Sequence, residues 1–231
     1  DINAKFKTSN DLTFYPGQSS GALKTAGAFK VVGTGNNTIT VTGAITGVAE
    51  GNETITIQSG AGAGTTNGTI SISGGIDAAG AGEIESVSLK AGTGIRLGGN
   101  IFTKNVANND VIITGPAVLI GDLDINVTAN TSGTDEGDIK FSSTIDDLDG
   151  TSPYNLTLDG DSGVITVSGA IGSSNKVGNI DINKTSGNGV ITLTGIGDSS
   201  GNTATGSTGT VDIGGATTGS MTLAGGYYHT D

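Results

Sequence analysis

The sequence predicts an all-β chain wound as a parallel β-solenoid, on three observations. One phrase is given twice in close succession: Val164-Ile165-Thr166-Val167-Ser168-Gly169, then Val190-Ile191-Thr192-Leu193-Thr194-Gly195. The apolar segments alternate apolar and polar residues, the period-2 mark of strands with one buried face, and no segment carries a capped helical period. The composition is glycine-rich and poor in bulky side chains: 42 Gly in 231 residues, 4% aromatic and no Trp. A repeat this short cannot bury its own apolar row, so copies must stack. Slim β-branched side chains suit the narrow interior that stacking creates.

Taken in order, the template apolar-x-apolar-x-x-x-Ile starts at Ile39 ("TITVTGAI"), Ile70 ("TISISGGI"), Ile95 ("GIRLGGNI"), Ile139 ("DIKFSSTI") and Ile165 ("VITVSGAI"), with weaker copies at Ile191 and Val211. The gap between Ile95 and Ile139 is wide enough for two turns, and "DVIITGPAV" around Ile112 fills it. Stacked, Ile39, Ile70, Ile95, Ile139, Ile165 and Ile191 are expected to form one continuous ladder, with Ile72, Leu97, Phe141, Val167 and Leu193 beside it in the interior. A second strand lies between copies: "ESVSLKAG" (85–92), "GDLDINV" (121–127), "YNLTLDG" (154–160), "GNIDINK" (178–184) and "GSMTLAGG" (219–226). Gly, Asn, Ser and Asp follow these strands and suit tight corners. The predicted coils are about 20–31 residues long. The predicted organisation is an N-terminal capping or assembly segment (1–36), a solenoid domain (37–226) and a short tail (227–231). An antiparallel β-sandwich also fits strands separated by frequent turns and is the alternative fold.

The net charge is −12, which argues against nucleic acid as a partner, because phosphates would be repelled. The charge is uneven. Residues 1–30 carry Lys5, Lys7, Lys24 and Lys30 against Asp1 and Asp11, whereas the acids dominate the remainder. These four lysines are candidates for self-association through the chain's end, where they would meet the acidic body of a neighbouring copy or a neighbouring segment of a longer parent chain. Side faces covered in Thr, Ser, Asn and Asp are expected to be too uniformly negative to pack on one another. The competing role for the first segment is a cap, with Phe6, Phe14 and Tyr15 covering the open end of the ladder. No apolar run approaches the length of a membrane-spanning helix, so no membrane insertion is expected. The chain has neither an initiator Met nor a signal peptide and reads as a mature protein or a piece of a longer one.

The runs "GVITVSGAIGSSNKVGNIDINKTSGNGVITLTG", "VIITGPAVLIGDLDINV" and "AGTGIRLGGNIFT" resemble the repeat regions of filamentous-haemagglutinin-like bacterial adhesins, over roughly residues 37–226. The resemblance implies a right-handed parallel β-helix shaft and an extracellular rod on the bacterial surface, used for structure or adhesion, with a host or cell-surface glycan as a conceivable partner. It implies no enzymatic site.

The residues themselves offer little catalysis. The only histidine, His229, reads as a solvated residue, and no nucleophile elbow, zinc-protease motif or P-loop occurs. Arg96 and Lys140 sit at outward strand positions and read as solubilising charges. A β-helix carbohydrate-active enzyme is therefore an alternative function, and a self-assembling filament or surface-layer subunit is another.

Three acidic turns, "TDEGD" (Asp135, Glu136, Asp138), "DDLDG" (Asp146, Asp147, Asp149) and "DGDSG" (Asp159, Asp161), supply hard oxygen donors of the kind Ca²⁺ takes, but without a tandem calcium-binding repeat. No other cofactor is expected. Thr40, Ser71, Thr166 and Thr192 read as one outward hydroxyl column, interrupted by Arg96, Lys140 and Asp212. Asn-x-Ser/Thr sequons begin at Asn36, Asn52, Asn67, Asn126, Asn130, Asn155 and Asn183 and would suit exposed turns.

Overall fold

A computed structural model of the chain describes residues 2–15, 22–47, 53–60, 67–77, 84–103, 110–127, 137–183, 189–200, 202–215 and 218–230. Among these there is no helix. In chain order the strands are β1 (Ile2–Thr8), β2 (Leu12–Phe14), β3 (Ala22–Gly33), β4 (Thr38–Val41), β5 (Ala44–Gly47), β6 (Glu53–Ser59), β7 (Thr69–Ile72), β8 (Ile84–Ala91), β9 (Gly94–Leu97), β10 (Ile101–Phe102) and β11 (Val111–Thr114). They continue with β12 (Ala117–Leu119), β13 (Leu123–Asn126), β14 (Ile139–Phe141), β15 (Ile145–Asp147), β16 (Leu156–Asp159), β17 (Val164–Ile171), β18 (Ile180–Ile182), β19 (Val190–Ile196), β20 (Val211–Ile213) and β21 (Ser220–Leu223).

Each strand pairs in parallel with the strand one turn away, so the chain is a β-solenoid and the sandwich alternative is excluded. Each turn contributes to three faces. The first face stacks β1, the end of β3, β6, β8, β11, β14, β17, β19 and β21. The second stacks β2, β4, β7, β9, β12, β15 and the ends of β17 and β19. The third runs from the start of β3 through β5 and Ile76 to β10, β13, β16, β18 and β20.

The period-2 pattern explains the core. On the first face, Phe29, Ile55, Val87, Val111, Ile139, Ile165 and Ile191 lie in register and are fully buried. On the second, Ile39, Ile70, Ile95, Ala117, Ile145, Ile171 and Ile196 do the same. The third carries Leu23, Ile45, Ile76, Ile101, Ile125, Leu158 and Ile182. Burying one such side chain fully is worth about 1.5–3 kcal/mol.

The single expected ladder is thus two. Ile39, Ile70 and Ile95 belong to the second face, whereas Ile139, Ile165 and Ile191 belong to the first. The two sets share a template because any half-buried strand of this interior satisfies it. The strands read as lying between copies divide likewise: 121–127, 154–160 and 178–184 stack on the third face, but 85–92 and 219–226 belong to the first. Turns differ in length, from the short one between Ile95 and Ala117 to the long one between Ile125 and Leu158, which slightly exceeds the expected range.

Two devices hold the corners. Gly137, Gly163 and Gly189 stack before the first face. A methyl built on Gly163 would stand 2.1 Å from the Gly137 carbonyl oxygen, and one on Gly189 2.2 Å from that of Gly163, so the backbones approach too closely for any side chain. At the start of the third face an amide ladder takes over. Asp122 Oδ1 accepts the Asn155 N–H (2.8 Å), Asn155 Oδ1 that of Asn179 (2.8 Å), and Asn179 Oδ1 that of Thr210 (2.9 Å). Short Asx side chains reach one rung along and satisfy donors that the corner leaves free.

Parallel pairing begins at β1 and β2, so these strands and β3 are rungs continuous with the rod. Phe14 packs edge to face on Phe6 and on Phe29, with ring centroids 5.4 and 5.5 Å apart, the Phe6 and Phe29 rings are tilted to each other at 6.1 Å, and Tyr15 is 78% exposed. At the other end Tyr228 bridges to Ile196 and Thr230 to Ser207, which carries the stacking into the segment read as a tail.

Candidate functional site

With aliphatic residues inside, the chemistry lies on the outward positions, and the winding sorts it by face. On the first face Lys5 is level with Lys30, that column continues through Thr56, Ser88 and Ile112 to Lys140, and Thr166, Thr192 and Thr222 follow. The adjacent column holds Lys7, Val32, Gln58 and Lys90. Three of the four N-terminal lysines therefore share one side, whereas Lys24 stands on the third face beside Thr46. All four are exposed.

On the second face the outward column is Thr13, Thr40, Ser71, Arg96, Val118 and Asp146. The expected hydroxyl column is therefore split: Thr40 and Ser71 lie on this face, Thr166 and Thr192 on the first, and Asp212 on the third. Arg96 and Lys140 stand on different faces and do not neighbour each other. Beside Arg96 runs a shallow groove of about 340 Å³, whose lining includes Thr69, Gly94, Val118, Asp146 and Leu148.

The third face carries the acids. Asp124, Thr157, Asp181 and Asp212 form one outward column, and Asp159 stands in the next, level with Asn126. Burial raises the Asp124 pKa, and the neighbouring Asp159 and Asp181 carboxylates raise it further. A groove of about 380 Å³ runs along Asn155, Thr157, Asn179, Asp181, Thr210 and Asp212. Sequence reasoning passed over Asp124 and Asp181 and noted Asp212 only as an interruption. Their signal was an acid between apolar residues in "DLDIN", "NIDIN" and "TVDIG", which acquires meaning only once those strands are known to stack.

The acidic turns are built differently. Asp135 and Glu136 lie outside the described residues. Asp138, at the start of the first face, accepts the Val164 N–H (2.9 Å). Asp147 takes the inward position that Leu119 occupies one turn earlier and is 1% exposed. Its Oδ1 accepts the Asp149 and Gly150 N–H groups (3.1 and 3.0 Å), and its Oδ2 that of Tyr154 (2.8 Å). Three donors make this buried carboxylate tolerable, and it organises the loop that follows.

Asp146 accepts the Ser174 N–H (2.7 Å) and the Ser173 hydroxyl (3.2 Å). Asp149 accepts the Thr151 N–H (2.9 Å) and the Thr151 hydroxyl (2.8 Å), which hold its pKa below the usual value. Asp159 Oδ1 accepts the Asp161 N–H (3.3 Å). Asp147, Asp149 and Asp159 thus bond within their own turns, whereas Asp138 and Asp146 bond to the next rung, all at separate places around the coil. Among the described residues, no group of three or more His, Cys, Asp or Glu side chains gathers as a metal site.

His229 differs from the solvated residue expected. It is half-buried in the corner between the second and third faces, its Nδ1 is 3.1 Å from the Thr205 carbonyl oxygen, and its backbone N–H donates to Ile196. Among the sequons, Asn183 is 1% exposed. Its Oδ1 accepts the Gly160 N–H (2.7 Å) and its Nδ2 donates to the Asp161 carbonyl (3.1 Å), so the folded turn has no room for a glycan there. Asn52 and Asn130 lie outside the described residues. No protein-family model, curated protein or solved structure matches the chain, so the likeness to haemagglutinin-like adhesins rests on the repeat pattern alone.

Proposed function

We propose that this chain is a non-enzymatic structural and adhesive segment of an extracellular bacterial surface protein. The observation that carries the reading is the unbroken register of the core from Phe29 to Leu193, which makes a shaft whose variable chemistry lies outside. The acids that line the groove beside Arg96 support it as well. Asp146 and Asp147 spend their oxygens on loop N–H and hydroxyl groups, whereas a polysaccharide-cleaving site needs carboxylates directed at substrate.

Electron micrographs of the pure protein should show rods, and beads coated with it should bind glycan-bearing surfaces above an albumin control. Depolymerisation of an acidic or neutral polysaccharide, abolished by replacing one acid, would replace this reading with the enzymatic one.

A second reading, a filament or surface-layer subunit, draws on β21. Met221 and Leu223 continue the inner columns through Ile191 and Leu193, yet they are 41% and 48% exposed. A further rung, from the same chain or another copy, would bury them. End-to-end polymers in the micrographs would favour this reading.

A further inference from the structure

The winding gives the rod two oppositely charged sides. Lys5, Lys7, Lys30, Lys90 and Lys140 all stand at outward positions on the first face, five of the chain's nine lysines, and Glu85 is the acid among the outward strand positions described there. Asp124, Asp159, Asp181 and Asp212 stand on the third face, on the consecutive rungs β13, β16, β18 and β20. The two groups are offset along the axis. Sliding one rod by four rungs sets β1, β3, β6 and β8 opposite β13, β16, β18 and β20. Lys5 is then level with Asp124, Lys30 with Asp159, and Lys90 with Asp212. At about 4.8 Å per rung the offset is about 19 Å.

We propose that copies of this chain pack side by side, the lysine-bearing first face of one on the aspartate-bearing third face of the next, staggered by four rungs. This goes beyond the shaft reading and replaces the expectation that uniformly negative sides keep rods apart. The two surfaces differ and each copy is displaced along the axis from the last, so the contact cannot close into a ring and repeats from copy to copy into an open array. The occupant is a second copy because the complement to each face is present on the same molecule at matching axial spacing. The lysines also relieve the crowding of Asp124 by Asp159 and Asp181. Individual exposed pairs are weak, so association depends on several acting together and on concentration.

Ionic strength separates the forces involved. The net charge of −12 repels whole rods at low salt. Near 0.15 M, where screening sets in beyond about 8 Å, that repulsion fades while close pairs persist; near 1 M, with a screening length of about 3 Å, the pairs fade too.

Sedimentation velocity over a concentration series should therefore show association near 0.15 M salt that is lost at 1 M, and electron micrographs should show rods alongside one another. Lys5→Glu/Lys30→Glu/Lys90→Glu and Asp124→Lys/Asp181→Lys/Asp212→Lys should each be folded by circular dichroism and associate at least tenfold more weakly. An equimolar mixture should recover association, since every mixed contact is again complementary. Should the lysine triple fail to fold, Asp124→Asn/Asp181→Asn/Asp212→Asn should weaken association in the same way. A wild-type protein that stays monomeric, folded variants that associate as the wild type does, or a mixture that fails to recover would each overturn the proposal. Bead adhesion is read separately, so its loss or persistence leaves this result untouched.

Discussion

Asp124 is a carboxylate placed where its charge is unwelcome, half-buried and beside two others. Its folded pKa is raised, so the folded state holds the proton more tightly than the unfolded one. Stability is therefore lost as pH rises from the unfolded value of 3.8 through the folded one, and the penalty is fully present above that. Asp124→Asn should raise the melting temperature at pH 7, and the gain should vanish below about pH 3.8; a melting series from pH 3 to 8 on both proteins checks this. Asp149 has the opposite sign: its lowered pKa supplies stability above the unfolded value that is lost as pH falls through the folded one. At the core, Ile165 stands between Ile139 and Ile191 with no exposure. Ile165→Ala should cost about 2–5 kcal/mol in chemical denaturation. Ile165→Asp, an unpaired charge in a dry column, should leave little folded protein. Thr166→Ala, one residue along but facing out, should stay within about 0.5 kcal/mol of the wild type.

Among the elements, the corners differ in what they can lose. Asn179 accepts one N–H, from Thr210, at an exposed position, so Asn179→Ala should cost about 0.5–1.5 kcal/mol. Asn183 is buried, uses both ends of its amide and has φ of +48°, a conformation Asn tolerates better than most residues. Asn183→Ala should therefore be clearly the more damaging of the two in denaturant titrations, and Asn183→Gly should recover only the backbone part of the loss. The same contrast explains what could be read from the chain beforehand. The even spacing of Ile139, Ile165 and Ile191 was legible because two successive turns happen to be equal in length. The change of face between Ile95 and Ile139 was not, because strands on all three faces obey one alternation and only position within the turn tells them apart. Corners of variable length erase that position. The acid column was hidden for the same reason: Asp124, Asp181 and Asp212 are far apart in the chain and join one column only after winding. The burial of Asp147 was not legible either, because a carboxylate in a turn looks solvated, and nothing local shows that its position continues the column of Leu119.

For the molecule as a whole, stability is close to a sum of rungs and their contacts. Removing residues 164–189 joins Gly163 to Val190, which stands one rung directly above Val164, so every column is shortened by one rung and kept in phase. That deletion should fold, with unchanged β-type circular dichroism and a rod shorter by about 4.8 Å in X-ray scattering. Removing only 164–176 takes away half a turn, brings β18 of the third face to the place that β17 held on the first, and should not fold. The backbone hydrogen bonds between turns, such as Ile95 N–H to Pro116 O and Val111 N–H to Asp138 O, all point along the rod. Tension applied at the two ends therefore loads them one turn at a time, as a knitted edge unravels, and never all at once. A single released turn, such as that from Ile165 to Ile191, lets out about 90 Å of chain. Pulled between its ends, a single molecule should lengthen in a train of such steps at nearly equal force, lending a shaft of this kind give under load while the turns not yet released keep their shape.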